Sequence, residues 1–131
     1  MRNLNSFFIF LLLSNFAYAA NVDCSKKANS LEIVACHENR YVEADKKLNS
    51  VYSSAMKNIN ENQKKALKQS QLAWLKFRDS NFTFVIEMNK DGGSFANVAI
   101  AEFKATFVEK RVAELKDLFV GPSGEAPDWV K

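Results

Sequence analysis

Apolar side chains recur every three or four positions along most of this chain, in stretches set apart by asparagine and glycine. The first stretch carries Leu31, Val34, Ala35, Tyr41, Leu48, Val51, Tyr52, Ala55 and Ile59. That spacing marks one face of an α-helix at roughly 3.6 residues per turn. Asn29 stands ahead of the run with Glu32 three residues later, the pattern of a capping box. No Gly or Pro interrupts the stretch, so one long helix is predicted.

Asn58-Ile59-Asn60 breaks the pattern, and Asn60 with Gln63 offers a second capping box. A second helix is predicted from there to Met88, with Leu67, Gln71, Trp74, Phe77, Arg78, Asn81 and Val85 along one stripe. Lys64, Lys65, Lys68 and Lys76 fall mostly off it, as a solvated face requires. Asp91-Gly92-Gly93-Ser94 reads as a turn in which Ser94 is a candidate N-cap. The third helix is predicted over Phe95 to Phe119, carrying Val98, Ala99, Ile100, Phe103, Phe107, Leu115 and Leu118. Gly121-Pro122 is a stop signal. Nothing alternates with the period of two that marks a strand. The expected fold is all-α: an antiparallel bundle of three main helices joined by short connections.

The N-terminus follows a different logic. Arg2, the apolar run Phe7 to Leu13 and the small-x-small sequence Ala17-Tyr18-Ala19 read as a signal peptide over residues 1–20. The run falls well short of the ~20 apolar residues that span a bilayer. Cleavage near Ala19 or Ala20 is expected, giving an exported protein, periplasmic or secreted, with no transmembrane segment once mature. Val22-Asp23 directly before Cys24 does not make a lipidation site. The remainder divides into a helical domain, residues 21–121, and a C-terminal tail, residues 122–131, whose Trp129 has the option of folding back.

Charge and chemistry narrow the function. Net charge is +3 for the whole chain, too small to argue for nucleic acid as a partner. Its distribution is uneven. Glu32, Glu38, Glu43 and Asp45 oppose Arg40 early in the first helix, whereas residues 46–76 hold seven Lys against Glu61 alone. There is no P-loop, HExxH or CxxC motif, and nothing places a Ser beside His37, the single histidine. His37 beside Glu38 reads as a solvated pair. No enzyme and no cofactor are expected.

Cys24 and Cys36 form an even pair in an exported chain, which favours a disulfide tying the N-terminal segment to the first helix. Zinc held by these two and His37 is the alternative, and it is short of ligands. Arg78, Asp79 and Arg111 sit within the helical registers, with Asp45 near the first apolar stripe. Charges near a core persist when paired, so these four are expected to form a structural polar network, with a binding cleft as the other reading. Gln71, Trp74 and Phe77 are the expected core motif, the two rings buried against the first and third helices.

These residues also resemble a known family. Asp23-Cys24, Glu32, Cys36, Ala44-Asp45, Leu48-Asn49 and Val51-Tyr52 are similar to the opening of the LprI-like domain. Gln71, Ala73-Trp74, Phe77-Arg78-Asp79, Gly93-Ser94, Arg111 and Glu114-Leu115 continue the match, Trp-x-x-Phe-Arg-Asp being its most specific piece. The resemblance implies an exported helical protein of the bacterial envelope whose family namesake is a lysozyme inhibitor. Members often hold a second cysteine pair, and Phe82 and Phe103 stand at those places here. One disulfide is therefore expected, with two rings able to fill the vacated contact. The turn Lys90-Asp91-Gly92-Gly93-Ser94 becomes a candidate interaction loop, and lysozyme or another exported envelope protein the candidate partner. Two alternatives are a module that contacts anionic polymer or lipid headgroups, and an assembly partner of another exported protein.

Overall fold

The computed structural model describes residues 22–130, so the predicted signal peptide lies outside the described residues. Three long helices dominate: α1 (Ser30–Asn58), α2 (Glu61–Asn89) and α3 (Gly93–Asp117). Short 3-10 turns occupy Cys24–Lys26 and Asp128–Val130, and no strand occurs among the described residues. The all-α reading of the periodicity is what the chain adopts.

Of the two predicted capping boxes, the one at Asn60 forms in full and the one at Asn29 forms by half. At Asn29 the Glu32 carboxylate accepts from the Ala28 amide and the Asn29 side chain instead of the Asn29 amide. Asn29 Oδ1 accepts from the Glu32 amide at 3.0 Å. Asn60 and Gln63 exchange both bonds of a capping box, at 3.0 and 2.9 Å, satisfying amides that a helix N-terminus leaves unpaired. α3 departs from expectation. It begins at Gly93, with Gly92 at the N-cap and no side-chain bond there, so Ser94 lies inside the first turn. Gly93 adopts φ +61°, a left-handed conformation that glycine tolerates. A Cβ on Gly92 would meet the Ala96 Cβ at 2.7 Å. Each glycine thus has its own reason. α3 also stops at Asp117, ahead of Gly121-Pro122. Beyond it the tail turns back: Trp129 meets Phe119 edge-on at 4.8 Å, and Val130 is buried beside α1.

α1 and α3 lie along one another for most of their length. They point the same way, because Ser30 and Leu31 share a cavity with Ser94 and Asn97 while Tyr41 neighbours Lys104. α2 returns antiparallel to both. Ala44, Leu48, Val51 and Ala55 of α1 pack with Val108, Val112 and Leu115 of α3, and Ala101 and Ala105 are buried too. Alanine at such positions lets two helix axes approach to about 8 Å, the near end of the usual range.

α2 is held differently. Leu67 is its one buried residue, and the rest of its contact with α3 runs through large rings. Phe107 receives Trp74 at 5.9 Å, Phe77 at 5.7 Å and Phe82 at 5.7 Å. Phe82 and Phe103 meet edge-on at 6.1 Å, filling the place where relatives are expected to hold a second disulfide. Phe77 is 59% exposed rather than buried. It touches Phe107 from the flank, because α1 lies against α3 and leaves that side of α2 open.

The disulfide Cys24–Cys36 joins the N-terminal 3-10 turn to α1. Next to it, His37 is 6% exposed, not solvated beside Glu38 as the sequence suggested. Its position explains this: 37, 41, 44, 48, 51 and 55 alternate by four and three, so His37 opens the same stripe as the core residues. Arg40 Nη1 lies 2.9 Å from His37 Nδ1, and Arg40 grips Glu109 of α3 through Nε and Nη2 at 2.9 and 2.6 Å. Burial first, then the neighbouring Arg40 cation, hold the His37 pKa below its ordinary value, while Glu102 and Glu109 oppose the shift. A guanidinium can only donate, so this contact calls for an unprotonated Nδ1 on His37.

Two outcomes follow from this packing. Ala105→Leu forces methylenes into a closed seam and should cost about 1–3 kcal/mol or more, whereas Phe77→Ala should cost under about 1 kcal/mol; urea melts of both test the contrast. A Phe77→Ala cost matching that of a buried ring would mean α2 is packed more tightly than described. Since His37 has a lowered folded pKa, the unfolded chain binds its proton more readily. Its stabilisation is complete above the unfolded value of about 6.5 and is lost as pH falls below that. The melting temperature should therefore drop from pH ~7 to pH ~5, and His37→Gln should flatten that slope.

Candidate functional site

Because α1 and α3 are parallel, one end of the bundle gathers the start of α1, the end of α2 and the turn into α3. Lys90, Asp91, Gly92, Gly93 and Ser94 are all exposed there. Lys90 pairs loosely with Glu87 at 3.6 Å, and both side chains stay largely in water. Phe95 is 85% exposed and Leu31 82%, an unusual pair of bare apolar side chains beside a polar turn. Between the starts of α1 and α3 lies a cavity of about 250 Å³. Val34, Tyr41 and Ile100 supply apolar wall, and Glu38 and Lys104 bring charges of both signs. The Lys104 ammonium sits over Tyr41 at 5.2 Å and Phe82 at 5.5 Å, which anchors the rim by cation–π attraction. The recess suits a partner's side chain. It holds no nucleophile paired to a base.

The acidic residues of α1 lie nearest this end. Arg40, their one opposing guanidinium, is taken up by Glu109. Lys46 bonds Glu43 at 2.8 Å and holds its carboxyl below the ordinary range. Glu32 bonds Asn29 and the Ala28 amide. Glu38 remains at the cavity. Among the described residues no group of three or more His, Cys, Asp or Glu could hold a metal ion, and Cys24 and Cys36 are oxidised together.

The four charges expected to form one network are distributed over three places. Arg111, buried on α3, donates to Gln71 Oε1 of α2 from Nε at 3.3 Å and Nη2 at 3.1 Å. Glu114 lies 3.6 Å from its Nη1. Arg78 is bound by its neighbour Asp79 at 2.9 Å. Asp45 bonds Asn49 on the flank of α1, one residue round from the buried Ala44 and so turned away from the others. What Arg78 and Arg111 share is a ring: their guanidiniums lie 5.7 and 5.5 Å from the Trp74 centroid. Gln71, Trp74 and Arg111 therefore form the polar fastening of α2 to α3. Breaking bonds to a mostly buried cation should cost about 1.5–3 kcal/mol. Arg111→Met and Gln71→Leu should each lower stability, and the double variant should lose less than the sum. Additive losses in a thermal double-mutant cycle would show that the two do not act together.

A model of the family described as lysozyme inhibitor LprI matches residues 24–115. Comparisons with curated proteins and with solved structures found no match. The matched residues run from the first cysteine through the Trp74–Asp79 segment to the last buried leucine of α3. On that match, which covers most of the chain, the protein belongs to the lysozyme inhibitor LprI family.

Proposed function

We propose that the protein is an exported binding protein that inhibits lysozyme, and that it engages the enzyme with the end of the bundle bearing the α2–α3 turn. Family membership is the observation that carries the first half of this reading. The geometry supports the second. Lysozyme cleaves its substrate with two carboxyl groups in a cleft, and an occluding element has to enter that cleft. The turn offers an ammonium at Lys90 and a hydroxyl at Ser94, at the same end of the bundle as the exposed apolar side chains of Phe95 and Leu31. Apolar anchors within a polar rim are the usual anatomy of an interface. Animal lysozymes are typically basic, and a chain of small positive net charge gains no overall steering toward them. Glu32 and Glu38 at the same end supply the local negative potential that the net charge lacks.

Export rests on the N-terminal reading. Among the described residues no helix is long and apolar enough to cross a membrane. N-terminal sequencing of the protein recovered from the periplasm should begin at Ala20 or Asn21.

The decisive experiment is an inhibition assay of the mature protein against C-type, g-type and i-type lysozymes. Inhibition of at least one is expected, and inhibition of none would sink the reading. Lys90→Ala and Phe95→Ala should each weaken inhibition at least tenfold, which corresponds to about 1.4 kcal/mol, with an unchanged melting temperature. Full potency in both variants would move the inhibitory surface elsewhere.

A further inference from the structure

The outer face of α2 has a pattern of which the fold uses only the flank contact of Phe77 with Phe107. Ala66, Ser70, Ala73, Phe77, Ser80 and Phe84 alternate by four and three residues, and Met88 extends the row. All are exposed; Phe84 is 63% and Met88 68% open to water. None is charged, although Lys64, Lys65, Lys68 and Lys76 lie on the same helix. Heptad spacing of this kind makes a seam for another helix. The row is about 33 Å long, taking ~1.5 Å of rise per residue.

The order of side chains along the row says which helix fits. Ala66, Ser70 and Ala73 fill its first half, and its large side chains, Phe77, Phe84 and Met88, stand in the second. A second α2 laid antiparallel about a two-fold axis at Phe77 brings Ser70 opposite Phe84 and Ala66 opposite Met88, with Phe77 meeting its own copy at the axis. On either side of the axis small then meets large, which gives the self-complementarity that a two-fold contact between identical surfaces needs. A parallel arrangement would set phenylalanine on phenylalanine at one end and leave alanine and serine facing across a gap at the other. It would also align Lys64, Lys65 and Lys68 with their own copies. In the antiparallel arrangement Lys65 and Lys68 instead come level with Asn89 and Ile86, on either side of Glu87, although Lys64 comes level with Lys90. We propose that two copies of this chain dimerise through this face, α2 against α2, antiparallel about Phe77.

The proposal needs no lysozyme to test. Light scattering behind gel filtration, from micromolar to submillimolar protein, should give twice the monomer mass at the upper concentrations. Phe77→Lys and Phe84→Lys should shift that mass to the monomer while helical circular dichroism is retained, since both rings are exposed. Orientation is read by cross-linking with the native disulfide intact. A variant carrying both Ser70→Cys and Phe84→Cys should form a covalent dimer on mild oxidation. Ser70→Cys alone should not, because its two copies would lie about 21 Å apart along the axis at ~1.5 Å per residue. A monomer at every concentration overturns the proposal, as does a dimer indifferent to both lysine substitutions. Efficient cross-linking of Ser70→Cys alone overturns the antiparallel arrangement. A monomeric wild type whose Phe77→Lys variant loses lysozyme inhibition would assign the face to the enzyme instead.

Discussion

Close packing of α1 on α3 through small side chains is the constraint on which the rest of the molecule depends. Ala44, Ala55, Ala101 and Ala105 are nearly or wholly inaccessible, and with no bulk between them the two helices approach along most of their length. Three helices of similar length ordinarily share one core equally. Here two of them complete most of it by themselves, with Leu48, Val108 and Leu115 as the largest side chains shut off from water. The third can then reach the pair only from outside, and it needs long side chains to do so. That is why the α2–α3 contact is aromatic where the α1–α3 contact is aliphatic, and why Trp74, Phe82, Phe103 and Phe107 lie together.

The polar residues follow the same division. Between α1 and α3, Arg40 reaches Glu109 with two bonds and His37 with a third, and the helices are close enough for that bidentate grip. Between α2 and α3 the cation is Arg111, which finds the neutral Gln71 and the Trp74 ring. Charges buried in a helix interface carry a desolvation cost that good geometry has to offset. Both arginines meet that requirement, and each fixes the register of one pair of helices. The N-terminal disulfide works on the segment ahead of α1, confining the chain close to where His37 enters the core. Closing a loop of that length contributes about 3 kcal/mol in the chain-entropy model.

Much of this was legible in the residues before the structure, and two of the exceptions share a cause. Asn29, Asn60 and Gln63 act through bonds to residues three positions away, so local sequence was sufficient for them. The Phe82–Phe103 contact was legible through the family resemblance, which implies a cysteine pair at those two places. Phe77, Asp45 and His37 were misplaced. Phe77 and Asp45 lie at the margin of an apolar stripe, where the side that becomes buried depends on the angle at which the partner helix arrives. A window on one helix contains no information about that angle. His37 carried a signal nonetheless, its heptad register with Ala44, Leu48, Val51 and Ala55, but polarity outweighed position. The gathering of Leu31, Glu38, Lys90 and Phe95 at one end was not legible either, since it requires knowing that α1 and α3 run parallel.

A bundle whose core is largely completed by two helices can leave the third free for other work. Substitutions on the outer face of α2 touch no buried side chain, so stability places little restriction on what stands there. Lysine, serine or glutamine would satisfy the fold at Phe77, Phe84 and Met88, and would lower the aggregation hazard that exposed apolar rows bring. The same holds for Phe95 and Leu31 at the end of the bundle, which the core does not use. Among the exposed apolar side chains, those at these two places form groups on a scaffold that needs neither, and contacts with other molecules explain such groups more economically than folding does. The two places also differ in kind. The bundle end mixes apolar side chains with charges of both signs around a small recess, the character of a site for a different protein. The α2 face is uncharged, linear and complementary to itself, the character of a site for another copy. A dimer joined through α2 would present two turn-bearing ends for binding.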